Sequence, residues 1–179
     1  MDRTCASPID IILAGRAATG CEKSGCLLFE ERQSQDSGDG DFLCAMIAGR
    51  ICGINIMRIR EIIKPQPVTE IPGAPAFVSG IFSLRGDIIP VLDTRRRLGL
   101  EPSSSDGGER VVVVRGGAGL TGLIVDRIIR VARLSGGSIQ LGPIAFPEIG
   151  GEFVSGMGYL DECSVILLNV ERVADIPPW

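Results

Sequence analysis

From residue 41 onward, apolar positions come in short runs broken by glycine, proline or a charge: FLCAMIA, RICGINI, VTEIP, FVSGIFSLR, DIIPVLD, RVVVVRG, LTGLIVDRIIRVARL, FVSGMGYL and SVILLNV. Repeated runs of this length with turns between them predict strands, and together they predict an all-β barrel or sandwich with room for two small barrels. Val111 to Val114 lacks polar alternation, which predicts a strand buried on both faces, as at the contact between two barrels. Only two short helices are expected. Asp93 as N-cap and Gly99 after the last turn enclose TRRRL, and Val170 to Ala174 runs up to the Pro177-Pro178 pair. FVSGIFSLRG and FVSGMGYLDE share FVSG followed by an apolar strand, an echo that convergent turn chemistry around glycine explains without a duplication.

Ahead of this pattern, residues 30 to 40 read EERQSQDSGDG, a polar, acidic composition that buries too little apolar surface to order itself. The expected division is a flexible tail and linker over residues 1–40 and a folded domain over 41–179. In the tail, Ile9, Ile12 and Leu13, then Leu27 to Phe29, are too short a pattern to separate a helical turn from a docking segment.

Two stretches of the domain stand out. In IFSLR, strand alternation places Phe82 and Leu84 toward a barrel and Ile81, Ser83 and Arg85 away from it, with Gly86-Asp87 reversing the chain. Arg85 then sits at a hairpin tip, where a guanidinium suits a partner's carboxylate, although an ordinary surface arginine fits the same pattern. Pro90 lacks an N–H, so its strand is expected at a sheet edge or at a bulge. In IMRIREII, alternation places Met57, Ile59 and Glu61 on one face, opposite Arg58, Arg60 and Ile62. That face would offer an apolar centre with a charged rim to a partner.

The chain contains no histidine, which removes Ser-His-Asp and Cys-His catalysis, His-ligated metals and a phosphate-accepting histidine. Asp87, Asp93 and Asp126 are spread singly, with no sign of an acid and base pair. GGAGLTG, residues 116 to 122, leads into a strand rather than a helix and reads as a hairpin turn, not a phosphate loop. A net charge of −4 gives no general attraction to nucleic acid or anionic membrane. Arg95, Arg96 and Arg97 read as a solvated face with local salt bridges. No apolar run is long enough to cross a bilayer as a helix. The 6 cysteines have no paired CxxC spacing, so a reducing cytoplasm is the simpler reading. Residues 9 to 21 look faintly like a lipoprotein signal ending at Cys21, but Asp10 and Arg16 interrupt the apolar region such a signal needs.

Four segments in order, GINIMRIREII (53 to 63), VTEIPGAPAFVSGIFSLRGDIIPVLD (68 to 93), GLIVDRIIRV (122 to 131) and SGMGYLDECSVILLNVERV (155 to 173), resemble the CheW family of chemotaxis coupling proteins from Asp41 to about Ala174. EII, then P-x-A-P, then G-x-x-x-L-R-G-x-I-x-P-x-x-D carry the resemblance. Ser83 stands where the family usually has asparagine, and Thr94 where it often has leucine. The resemblance implies two intertwined five-stranded SH3-like β-barrels with one or two short helices, no catalysis and no cofactor. It implies a cytoplasmic adaptor that joins chemoreceptor cytoplasmic domains to a CheA-type histidine kinase, associates with receptor arrays through those partners, and binds neither nucleic acid nor the membrane directly. Carried over by position, Ser83, Leu84, Arg85 and Gly86 would face the receptor, and Ile59, Glu61 and Gly80 would serve kinase coupling. Two alternatives stay open: a detached kinase regulatory module of the same fold, and a thiol-based redox or lipid-anchored sensor using Cys21 and Cys26.

Overall fold

The computed structural model describes residues 40–101, 107–117, 119–142, 146, 148–160 and 163–177. The tail expectations, including those for Cys21 and Cys26, fall outside the described residues. The strands are β1 (Gly40–Ile47), β2 (Arg50–Asn55), β3 (Ile59–Ile63), β4 (Val78–Leu84), β5 (Asp87–Asp93), β6 (Arg110–Gly116), β7 (Gly119–Val125), β8 (Arg127–Leu134), β9 (Ile139–Leu141), β10 (Val154–Leu160) and β11 (Cys163–Leu168). Two short helices, α1 (Thr94–Arg97) and α2 (Val170–Ala174), lie where the capping signals place them. Asp93 Oδ1 accepts from the Arg95 N–H and Asn169 Oδ1 from the Arg172 N–H.

The strands form two sheets, ordered β8-β1-β2-β11-β10-β9 and β3-β6-β7-β5-β4, each an SH3-like barrel wall. The second sheet is continuous in the chain and is inserted between β2 and β8 of the first, which is what intertwines them. Strand for strand, β8-β1-β2-β11-β10 repeats β3-β6-β7-β5-β4. The single parallel pairing of each sheet, β11 with β2 and β5 with β7, falls at the same place. The FVSG echo lies on equivalent strands: β4 bulges between Val78 and Gly80, and β10 between Val154 and Gly156. The Asp93 N–H donates to the Phe77 carbonyl and the Asn169 N–H to the Phe153 carbonyl, both at 2.8 Å. The echo is therefore architectural as well as chemical, which the short sequence match alone did not establish.

Three apolar clusters follow from this arrangement. One fills the first barrel around Cys44, Leu134, Val165 and Leu167, and another fills the second around Phe82, Ile89, Val91, Val111 and Val113. The largest joins the two sheets through residues such as Leu43, Ile54, Leu92, Val112, Val114, Leu123 and Ile166. The valine run of β6 is buried on both faces as expected, with Val111 and Val113 in the barrel and Val112 and Val114 in the joint.

Several expectations change. VTEIP is not a strand: it meets β4 only through one bridge, Thr69 to Ile81, because prolines on both sides interrupt a ladder. LTGLIVDRIIRVARL is two strands in different sheets, broken at Asp126. The first sheet gains a sixth strand, β9, beyond the five foreseen. Pro90 lies on an interior strand rather than an edge, and the bulge is on its neighbour β4. Pro90 faces Ile81, and the β7 ladder starts only at Val91, so the ring meets no donor requirement there.

Candidate partner-binding site

Leu84 pairs with Asp87, so the β4–β5 hairpin turns on Arg85 and Gly86, one residue earlier than the sequence suggests. Both turn residues have positive φ, 53° and 95°, the geometry that matches a two-residue turn to the twist of its strands. A non-glycine side chain in that region costs about 1–2 kcal/mol, so Arg85 is held there against its own preference.

The Arg85 guanidinium lies 3.2 Å from Glu61 Oε2, with side chains 74% and 22% exposed. Glu61 is on β3 and Arg85 directly follows β4, and these are the two edge strands of the second sheet, so the ion pair bridges the seam where that barrel closes. The tip arginine thus already has a carboxylate partner within its own chain. An exposed pair of this kind contributes about 0–1 kcal/mol, little enough for a partner's acid to compete with it.

Ile59 and Glu61 do not share a strand face. A bulge between them pairs Ile59 with Val114 and Glu61 with Val113, so Ile59 packs on the joint between the barrels while Glu61 lies on the side of the barrel interior. Met57 belongs to a 3-10 turn ahead of β3 and is 80% exposed. The expected single face through Met57, Ile59 and Glu61 is therefore absent.

Gly80 has a structural duty. Its φ is 144°, and a Cβ there would lie 2.5 Å from the Thr69 carbonyl oxygen, so the missing side chain lets the 64–77 connection dock on β4. Leu84 is half-buried against the second barrel's core and anchors the hairpin, whereas Ser83 and Arg85 are exposed. Ile88, opposite Ser83, is 72% exposed and joins them at the tip. Strand alternation from Ile89 inward was the available signal for it.

The arginine triplet is not a solvated face. Arg95 is buried: Nε and Nη2 donate to both oxygens of Asp93 at 3.0 Å, and Nη1 donates to Glu109 and Asp126 at 3.2 Å each. The hydrogen bonding of its guanidinium to Asp93 leads the causes that raise the Arg95 pKa still higher, so the cation is permanent. Carboxylates that look isolated in the sequence are gathered here around one cation. Arg97 donates to the carbonyls of Arg172, Val173 and Asp175 and stacks over the rings of Phe77 and Phe153, 4.4 and 5.0 Å from their centroids. Only Arg96 is mainly exposed. Burial pushes the Cys52 thiol up to about 12 and raises Cys44 as well, so both are unreactive core residues.

The paired barrels and the hairpin motif agree with comparison at family level, where a CheW-like domain model matches residues 41–177. The chain belongs to the CheW family. It is 34% identical over 125 residues to the chemotaxis protein CheW of Treponema pallidum, covering 68% of this chain and 74% of that one. It is 30% identical over 133 residues to the CheW of Klebsiella aerogenes, covering 74% and 80% of the two chains. The crystal structure of the scaffolding protein CheW from Thermoanaerobacter tengcongensis superposes with a TM-score of 0.71 at 28% identity, covering 76% of this chain and 93% of that one. The domain is accordingly a chemotaxis scaffold or adaptor of the CheW type, with the CheW fold of paired SH3-like barrels.

Proposed function

We propose that the domain joins the cytoplasmic part of a chemoreceptor to a CheA-type histidine kinase, without catalysis or cofactor, in the cytoplasm beneath a receptor array. The Arg85–Glu61 ion pair carries this reading. It ties the hairpin tip suited to the receptor to the strand suited to the kinase, so two partner surfaces meet at one electrostatic contact. Ser83, Arg85 and Ile88 supply a hydroxyl, a cation and an apolar contact, respectively, on a short rigid hairpin, while Leu84, Gly86 and Gly80 shape and anchor it. Ile59 acts from the joint between the barrels rather than by direct contact.

Binding of a purified receptor cytoplasmic domain to Arg85→Ala and Arg85→Glu tests this. The alanine variant is expected to fold normally and bind more weakly by about tenfold to a hundredfold, the range for losing a charge-assisted hydrogen bond. Arg85→Glu also sets a second carboxylate against Glu61. It is expected to bind worse than alanine and to recover part of the difference as salt is raised. Normal receptor binding by Arg85→Glu at low salt would remove the hairpin tip from the interface.

A further inference from the structure

Asp126 is the one residue between β7 of the second barrel and β8 of the first, so the chain passes from one sheet to the other there. Its backbone N–H donates to the Met46 carbonyl at 2.9 Å, and its Oδ2 accepts from the Ala48 N–H at 2.7 Å. Met46 and Ala48 flank the end of β1, and Ala48 opens the β1–β2 turn with φ 48°. The other carboxylate oxygen, Oδ1, accepts from Arg95 Nη1. Arg95 is in turn fixed within the second barrel by both oxygens of Asp93 and by Glu109, which precedes β6. A continuous chain of hydrogen bonds therefore runs from α1 through Arg95 and Asp126 to the β1–β2 turn of the first barrel. The apolar joint between the sheets is large but non-directional, whereas these bonds have defined distances and angles.

We propose that Arg95 and Asp126 are positioning residues that hold the two barrels at one fixed angle. The consequence for signalling rests on the adaptor reading above. An adaptor can hold two partners and still fail to transmit between them if its halves rock. The clamp therefore serves coupling rather than the binding of either partner.

The test uses full-length chain with Cys5, Cys21 and Cys26 replaced by serine. Spin labels are placed on the exposed Cys163 of the first barrel and on Arg115→Cys, an exposed position of β6 in the second. Asp126→Asn keeps an acceptor for the Ala48 N–H but turns an amide toward Arg95. Glu109→Gln weakens the same arginine's network from within the second barrel. The label-to-label distance distribution is expected to be narrow in the parent protein and in Glu109→Gln, and broad in Asp126→Asn. With purified partners, Asp126→Asn is expected to bind receptor domain and kinase singly within about threefold of the parent. Kinase activation with both present is expected to fall by about tenfold or more, the effect of one charge-assisted hydrogen bond on a conformational equilibrium. A narrow distribution in Asp126→Asn, or equal broadening in Glu109→Gln, would overturn the clamp. So would an equal loss of single-partner affinity. A parent protein that binds neither partner would overturn the adaptor reading and leave the distance result standing on its own.

Discussion

Arg95→Met is expected to destabilise the domain by about 3–5 kcal/mol, the usual effect of removing one member of a buried charged network. The methionine fills much the same space, so packing is largely kept. Asp93, Glu109 and Asp126, with side chains 11%, 25% and 17% exposed, are left facing one another without the guanidinium that bridges them. Asp93 also caps α1, so its repulsion from Asp126 loosens the helix start as well as the network. In a chain of this size the melting temperature should fall by roughly 10–20 °C. A drop of less than about 3 °C would show that the cluster is sufficiently hydrated to dispense with its arginine.

Gly80→Ala is the second large effect, expected at about 2–4 kcal/mol from backbone strain plus overlap with a main-chain oxygen. Because the obstacle is the Thr69 carbonyl, relief requires the 64–77 connection to lift off β4. The Thr69 and Ile81 amides, which bond each other's carbonyls at 2.8 and 2.9 Å, should then lose hydrogen-exchange protection. Gly86→Ala is the control, since its φ is also positive but nothing lies within 4 Å of a Cβ, and about 1 kcal/mol of strain is all that is expected. If the two variants proved equally stable, docking of the connection would not be what Gly80 provides.

Local rules made much of the fold legible. The valine run announced a strand between two cores, and Asp93 announced the start of α1, which ends at Arg97, one residue short of the TRRRL expected. What escaped was set by contacts distant in sequence. Asp126 looks like one charge in a long apolar run, and only the sheets on either side make it the crossing point. Arg95 is followed by two arginines that are more exposed, and nothing local shows that Glu109 and Asp126, 14 and 31 residues away, converge on it. At the candidate site, the hairpin and its tip arginine were readable from glycine placement and alternation. The bulge that separates Ile59 from Glu61 was not, because one unpaired residue leaves no mark in a hydrophobic pattern. The internal partner of Arg85 was hidden by distance: Glu61 is 24 residues away, on the opposite edge of the sheet.

In the proposed function, one domain engages two partners at once through neighbouring surfaces joined by Arg85 and Glu61. Titration calorimetry of the full chain with a receptor cytoplasmic domain, with the regulatory domain of the kinase, and with one in the presence of the other tests it most directly. One-to-one binding of each and a ternary complex are expected. Arg85→Glu is also expected to change the coupling between the two affinities as well as the receptor affinity itself, because linkage between two sites is reciprocal. Mutually exclusive binding, or coupling indifferent to Arg85→Glu, would contradict it.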